Sequence, residues 1–571
     1  MLIRYLWPAL LVAFSPFTQA QDDNDLADGE LTRFKLSPGS SATFQLDAPD
    51  QSSAATTTYQ VTLNICSAPD GANLTALQDT KILYATKQGD SVTDSSDSSS
   101  SDYGFLNVTR THSSAGDKGI TVTVDAPQIQ DASDKDQWTF ELGASTSRAL
   151  HILNRTPLFS LQDTDNSSML LTSPTFFPSL SAEKGGGDPG SQLFILPSSG
   201  GDPIESPVVQ LSKSSCFVAG ASGLLNEDQV TVKNTSRGAF TLRPEEGAIG
   251  VEREQHDDGG LRTQYHVTGL ESATNYSIWG MQNTTDGGSR LFRQQFALTK
   301  SSDNCRLVFD ISPCSEVAYS VPSPRELTTA DLTSVYLSKV RSSLKNFNTT
   351  LQTFSCGIPS QGRYSSVRTC EDCYQAYENW LCGVTMPRCT DIPPELQSQA
   401  RDNFSTHASD NQVVFNDQPI PESVQPFLIR DHPAISRTPE WSDAGLANLS
   451  VSEATSPFPY AEILPCDGVC HLVAASCPSL IQWNCPIQDQ TLAASYGQMP
   501  LIDADSVQGG NQAGSAGEKG HRAMDRFGNA WCNGFDIEAL LDLRAGAGSV
   551  RASLGSLVVV VSMAVLVLIA S

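Results

Sequence analysis

Four cysteines stand within twenty residues in CEDCYQAYENWLCGVTMPRC, Cys370 to Cys389. Cys370-x-x-Cys373 is the spacing of a thiol–disulfide redox pair or half a zinc site in a reducing compartment. In an oxidising compartment the same residues belong to a disulfide framework. His471 beside Cys470 is the nearest approach to a further metal-ligand cluster, and a disulfide at Cys470 is the competing reading. Glu371-Asp372 is the one carboxylate pair in this stretch. Adjacent residues on a helix diverge, so the pair reads as a solvated acidic face or a partner-facing one. The eight histidines are scattered. No nucleophile elbow, zincin motif, P-loop or dinucleotide glycine pattern occurs. The expectation is therefore a non-enzymatic chain without a cofactor or metal.

The N-terminus decides between the cysteine chemistries. A lone Arg4, an apolar run from Tyr5 to Phe14 and then Thr18-Gln19-Ala20 have the layout of a secretory signal peptide over residues 1–20. The run is shorter than the ~20 apolar residues of a spanning helix. Disulfides are then the expected state. Twelve cysteines form the expected framework: Cys305, Cys314, Cys356, Cys370, Cys373, Cys382, Cys389, Cys466, Cys470, Cys477, Cys485 and Cys532. Their number is even, and spacing alone leaves the pairing open. Cys66 and Cys216 are candidates to pair with each other, with buried free thiols as the alternative.

The elements that hold these residues follow from periodicity. Cys370, Cys373, Tyr374, Tyr377 and Leu381 share one face of a helix, which Pro387 stops. Leu332, Val335, Tyr336, Val340, Leu344, Phe347 and Leu351 recur at three and four, predicting an amphipathic helix capped by Thr328 or Thr329. Before Cys305 the pattern is strand-like. LTRFKLSPGSSATFQLD, TYQVTLNIC, GITVTVDAP and DQWTFELGAS alternate apolar with polar residues. QVTVKN, AFTLRP, QYHVTGLESATNYSIWGMQ and LFRQQFALT are later strand candidates. HVTGLESATNYSIWGM is similar to the corner-and-strand segment of a fibronectin type III module, with Leu270 before the turn and Tyr276 after it.

The predicted organisation is multidomain: two all-β, sandwich-like modules followed by a disulfide-rich, mainly α-helical domain. The boundaries are a β-sandwich over 21–182, a Gly/Pro/Ser-rich linker over 183–207 and a second β-rich module over 208–300. A cysteine-rich helical domain over 301–535 follows, with an exposed insertion near 391–460. Residues 536–571 carry the small triplet Gly546-Ala547-Gly548, a polar spacer and the apolar run Leu557–Ala570. That run would rise only ~21 Å as a helix against a hydrocarbon core of ~30 Å. The pattern matches a glycosylphosphatidylinositol signal with Gly546 as the attachment site, and a retained membrane-spanning tail is the alternative.

Lys and Arg number 36 against 63 Asp and Glu, a net charge of −27, which disfavours nucleic acid as a partner. N-x-S/T sequons stand at Asn73, Asn107, Asn154, Asn166, Asn234, Asn275, Asn283, Asn348, Asn403 and Asn448. With a signal peptide they predict a heavily glycosylated surface.

CRLVFDISPCSEVAYSVPSP, CEDCYQAYENWLCGVTMPRC, PYAEILPCDGVCHLVAASCPSLIQWNCP and WCNGFD together resemble the fungal stretch-activated calcium-permeable channel component family, linked to mating-pheromone-induced death. The cysteine-rich domain of that family is similar to frizzled-type domains and to the auxiliary subunit of the animal sodium-leak channel. The resemblance implies a calcium-influx component at the extracellular face of the plasma membrane, with the endoplasmic reticulum as a second location. It implies a partner, a large four-repeat, voltage-gated-type calcium channel α subunit, and roles in pheromone, stress and mechanical responses. Between residues 21 and 553 no apolar run approaches a spanning length, so the expected role is auxiliary rather than pore-forming. The rival reading is a lipid-anchored structural or adhesive wall glycoprotein with wall contacts.

Overall fold

The computed structural model describes residues 25–534 with interruptions, the longer ones at 177–189, 198–209, 237–259, 355–367, 391–403, 420–460, 503–519 and 522–531. The signal peptide, Cys356, Asn73, Asn403, Asn448, Gly546, the apolar tail and the strand candidate AFTLRP lie outside the described residues. The chain groups into two units. The first comprises Met1–Asn154, Ile204–Ser222 and Met281–Leu291, and the second Arg155–Pro203, Gly223–Gly280 and Phe292–Ser571.

The first unit is a β-sandwich. One sheet has the order β1 (Leu31–Leu36), β9 (Trp138–Ser145), β3 (Thr57–Ser67), β7 (Phe105–His112). The other has β2 (Ser41–Asp47), β8 (Asp117–Asp125), β4 (Lys81–Gln88), β5 (Ser91–Asp94), with β6 (Ser99–Ser100) also on β4. All of these pairings are antiparallel. Strand alternation sends Phe44, Leu46, Ile120, Val122 and Val124 of one sheet into a core with Tyr59, Leu63, Trp138, Phe140 and Leu142 of the other. Trp138 and Phe140 are fully buried, and their rings stack at 6.2 Å. Within β8, Gly119 has φ +118°, and a Cβ there would stand 2.1 Å from the Leu46 carbonyl oxygen. Only glycine fits there. Strand β10 (His151–Leu153) pairs in parallel with β17 (Ser289–Leu291), and helix α1 (Ser215–Gly220) carries Cys216, bonded to Cys66.

A buried polar relay runs through this unit. His151 Nδ1 lies 2.8 Å from the Thr62 hydroxyl, and His151 Nε2 lies 3.0 Å from Glu141, which also receives Arg33 Nε. The Thr62 hydroxyl is fully buried, so the arrangement is a satisfied structural network and not an accessible nucleophile. Burial alone would raise the Glu141 carboxyl, but His151 and Arg33 outweigh it and hold its pKa below the usual range. A depressed folded pKa contributes stability above the ordinary value of 4.5 that is lost as pH falls below it. Glu141→Gln should therefore destabilise the sandwich at neutral pH, with the gap to wild type closing in acid. Thermal melts of the two proteins from neutral pH down into acid would read this.

The second unit contains a sheet of order β11 (Ser160–Thr164), β12 (Ser168–Thr172), β15 (Arg262–Thr268), β14 (Val230–Thr235). Strand β16 (Asn275–Asn283) pairs through Asn275–Ile278 with β18 (Gln295–Leu298), and β13 (Gln192–Pro197) also lies beside it. Residues 155–176, read in the sequence as the end of the first sandwich, thus supply two strands here. At the fibronectin-like corner the Glu271 N–H donates to the Tyr276 hydroxyl at 2.8 Å, with Leu270 buried beside it.

The expectation of a mainly α-helical, frizzled-like domain after residue 300 is incorrect. The described part of that region holds three α-helices: α2 (Thr329–Leu351), α3 (Cys370–Thr385) and α4 (Asp467–Ser476). Strands accompany them. β19 (Cys305–Val308) pairs with β20 (Tyr319–Pro322), and β21 (Arg388–Thr390) pairs with β25 (Ala461–Ile463) across the base of the insertion. Inside the insertion β22 (Phe404–Thr406), β23 (Val413–Phe415) and β24 (Gln418–Pro419) form a small sheet, and β26 (Leu501–Ile502) pairs with β27 (Gly520–His521). Runs of two to four residues are too short to show a two-residue period. The helical periodicity of 329–351 and 370–385 did not extend to the segments between the cysteines.

The two long helices have local causes. Thr328 caps α2 by accepting the Asp331 N–H at 3.2 Å, and the apolar stripe from Leu332 to Leu351 is buried. Thr369 and Asp372 form a capping box on α3. Thr369→Ala should cost about 1 kcal/mol, read as a lower denaturation midpoint.

Candidate functional site

Helix α3 is the hub of the cysteine-rich region because its two flanks are cross-linked in different directions. Cys373 is bonded to Cys477, just past α4, and Cys382 to Cys314. Cys305–Cys389 ties β19 to β21, Cys466–Cys532 ties the start of α4 to a distant segment, and Cys470–Cys485 closes a short loop. Cys370 is also disulfide-bonded. Among the described residues no cysteine is free. His471 is exposed beside a sulfur already committed to Cys485. No group of three or more His, Cys, Asp or Glu among the described residues is placed to hold a metal ion.

Aromatic packing fills the space between these cross-links. Tyr377 stacks on Phe347 with ring centroids 3.7 Å apart, and Trp380 meets Trp483 edge to face at 4.6 Å. Trp380 Nε1 donates to the Tyr496 hydroxyl at 2.9 Å. The faces of α2, α3 and α4 are thereby joined around two adjoining clusters, one holding Leu344, Leu381 and Cys382, the other Phe347, Cys373 and Val473.

On α3, Asp372 is occupied by the cap, and Glu371 accepts from Gln375 Nε2 at 3.3 Å. Glu378, one turn beyond Tyr374, is the perturbed acid of this helix. Partial burial, then the negative charges of Glu371 and Glu316, push its pKa up to about 7. A carboxyl raised above its usual value disfavours the folded state as it ionises. Folded-state stability should fall as pH rises from 4.5 towards 7. Glu378→Gln is expected to raise the melting temperature at pH 8 and to leave it nearly unchanged at pH 4, where the wild-type group is already neutral.

A buried, heavily bonded charged group is one that spacing did not single out. Asp163 lies at the end of β11 and is buried. Lys300 Nζ reaches its Oδ1 at 2.9 Å, Arg388 Nε reaches its Oδ2 at 3.1 Å, and the Ser320 N–H donates to Oδ2 at 2.9 Å. Lys300 also donates to the Thr164 carbonyl, and Arg388 Nη2 donates to the Gln162 carbonyl at 2.8 Å. Two residues on, Asp165 Oδ2 accepts the Leu307 N–H at 3.1 Å, while its Oδ1 accepts Ser167 and Ser168 N–H groups within the turn. Burial alone would raise the Asp163 carboxyl, but Arg388, Lys300 and the Ser320 amide hold it below the usual carboxylate range. One hairpin therefore grips both sides of Cys305. Lys300 precedes that cysteine, and Leu307, Ser320 and Arg388 belong to the cross-linked region after it. No local pattern marks Asp163, because its partners lie 137 and 225 positions away.

The sequons separate by exposure. Asn107, Asn234, Asn283 and Asn348 are exposed, whereas Asn154, Asn166 and Asn275 are half-buried.

A family described as the stretch-activated Ca2+-permeable channel component matches residues 58–510. Three relatives are similar along much of the chain. The stretch-activated cation channel yam8 of Schizosaccharomyces pombe is 26% identical over 365 residues, 64% of this chain and 62% of that protein. The stretch-activated cation channel MID1 of Saccharomyces cerevisiae is 29% identical over 271 residues, 45% of this chain and 42% of that protein. The protein of the same name from Cryptococcus neoformans var. grubii is 28% identical over 433 residues, 69% of this chain and 62% of that protein. The matched region spans less than two thirds of the length of each relative. The glycoside hydrolase domain of Endo-D from Streptococcus pneumoniae overlaps 48% of this chain and 33% of its own at 11% identity, with a TM-score of 0.16, which carries no argument. The match over most of its length, running from the sandwich through the cysteine framework, shows that this chain belongs to the stretch-activated Ca2+-permeable channel component family.

Proposed function

We propose that this chain is an extracellular, membrane-tethered auxiliary subunit of a calcium channel, supporting calcium influx in mechanical, pheromone and stress responses. The observation that carries the reading is family membership over residues 58–510, which includes most of the cross-linked region. In this reading the chain does not form the pore. Its sequence has no run of spanning length between residues 21 and 553, and no described helix is long and apolar enough to cross a membrane. A four-repeat α subunit supplies the ion pathway. The cysteine-rich region docks on extracellular loops of that subunit and supports its folding and surface stability. The role is non-enzymatic, and the tail holds the chain at the membrane through a lipid attached at Gly546.

Affinity purification of an internally tagged copy from solubilised membranes tests this. The expected result is stoichiometric recovery of a large cation-channel subunit, with calcium entry lost in the deletion strain. Recovery of wall proteins alone, with calcium entry intact, would replace this reading with the adhesive one.

A further inference from the structure

Leu480 and Ile487 are 78% and 87% exposed, the two most exposed large apolar side chains among the described residues. Both lie on the segment that leaves α4. That segment is held in place. Cys477 at its start is bonded to Cys373 on α3, and Cys485 is bonded back to Cys470 on α4. Between them Ser479–Ile481 makes a single 3-10 turn, in which the Ile481 N–H donates to the Pro478 carbonyl at 2.9 Å. Trp483 is turned inward, edge to face with Trp380 at 4.6 Å and with Tyr377 at 5.9 Å. Leu480 and Ile487 are thus displayed on an anchored loop, so little conformational entropy is lost when a partner covers them.

The surface around them is uncharged. Gly468–Ile487 contains no Asp, Glu, Lys or Arg, in a chain that is 17% charged and would place about three in a stretch of this length. Its exposed residues besides the two apolar ones include His471, Ala474 and Ala475 on α4 and Ser479, Gln482 and Asn484 on the loop. Depletion of charge over an aromatic layer is the composition of the centre of a protein interface. No N-x-S/T sequon falls between Asn348 and Asn403 or after Asn448, so α3, α4 and this loop offer no site for an N-linked glycan. Carboxylates border the patch. Glu371 and Glu378 stand on either side of Tyr374 along α3, Tyr377 beside Glu378 touches Trp483, and Asp467 opens α4. Their negative charge disfavours a lipid surface with its phosphates and favours a protein partner with Lys or Arg at the rim.

We propose that Leu480, Ile487 and the uncharged outer side of α4 form the surface by which this chain docks on the channel subunit, and that the surface receives an extracellular loop presenting an apolar side chain ringed by Lys or Arg. This rests on the reading of the chain as an auxiliary subunit, and it names the contact that the reading requires.

Co-purification of the internally tagged full chain from solubilised membranes tests this, comparing wild type with Leu480→Ser/Ile487→Ser. Both side chains are exposed, so surface delivery and protease resistance are expected to match wild type. Recovery of the channel subunit is expected to fall about tenfold or more, the scale of losing an anchor at an interface centre. Val232→Ser, at an exposed apolar position on β14, is expected to recover it like wild type. Glu371→Lys is expected to lower recovery at low salt and to converge with wild type at high salt, because rim charges act through screened attraction. Equal recovery by wild type and the double variant would overturn this surface and leave the auxiliary reading standing. Wild type recovering no channel subunit would overturn both. No effect of Glu371→Lys at low salt would overturn the cationic rim assigned to the partner. A photoactivated cross-linking group at position 480 reads the contact without depending on affinity, and it decides the question if the double variant does not reach the surface. A link to the channel subunit is the expected result, and a link only to a second copy of this chain or to lipid would overturn the assigned occupant.

Discussion

Asp163→Ala is expected to cost the second unit about 3–5 kcal/mol, because it leaves two buried cations without their common counter-charge. Lys300 and Arg388 are each 8% exposed at the side chain, and Asp163 9%, so water does not replace the lost partner. The Ser320 N–H also loses its acceptor. With a typical domain stability of about 5–15 kcal/mol, a loss of this size populates the unfolded state or abolishes expression. Asp163→Asn retains shape and one acceptor oxygen and is expected to cost less than the alanine variant but more than an exposed substitution. The sign of the pH dependence separates charge from packing. The Asp163 carboxyl is held below its ordinary 3.8, so its contribution is complete above that value and is lost as pH falls through the lowered folded pKa. The gap between wild type and Asp163→Asn should be constant above about pH 5 and narrow below 3.8. Hydrogen exchange at the Leu307 and Ser320 amides, which donate to carboxylates of this hairpin, reports the local loss. Unchanged protection there in Asp163→Ala would show that packing and the Asp165 bonds hold the hairpin without the Asp163 carboxylate.

Local periodicity carried the parts of this architecture that depend on neighbours in sequence. All seven residues of the stripe from Leu332 to Leu351 are buried on α2, and the alternation in SATFQLD places Phe44 and Leu46 in the sandwich core. The same logic misled where segments were short. CRLV, YSVP, RCT and AEI form strands because partners and cross-links hold them, and no three- or four-residue run shows its period. Helix α3 illustrates both outcomes. Its Cys373 and Leu381 are buried as the spacing implies, yet Cys382 is buried too, at a different angle, because Cys314 draws that flank inward. A one-sided amphipathic helix was legible, and a helix bound on two flanks was not. The Asp163 cluster was illegible for another reason. LQDTDNSS carries no local pattern that marks its acidic residues, and only the return of Lys300 and Arg388 from far along the chain makes Asp163 a buried site.

Cys373→Ser is expected to abolish the fold of the helical part of the cysteine-rich region, and with it calcium uptake. Its bond to Cys477 is the link that joins α3 to α4. The sequence separation is 104, so the bond closes a long loop, and loss of a native disulfide of this kind costs roughly 2–5 kcal/mol. Little else compensates. Cys373 is fully buried in a small cluster with Phe347, Leu351, Ala376 and Val473, and the ten-residue α4 is too short to persist alone. Serine adds a hydroxyl in an apolar setting and leaves Cys477 as a reactive thiol able to pair wrongly. Cys382→Ser should match it in direction, since Cys314–Cys382 secures the opposite flank of α3. By contrast, Cys470→Ser with Cys485→Ser opens a loop of separation 15, half-exposed at its far end, and should be the milder lesion. The ordering is checked by non-reducing gel mobility, protease resistance and calcium uptake measured on the same strains. If Cys373→Ser is secreted, protease-resistant and active like wild type, α3 is not the hub of the framework, and the aromatic contacts among Phe347, Tyr377, Trp380 and Trp483 must suffice to hold the helices together.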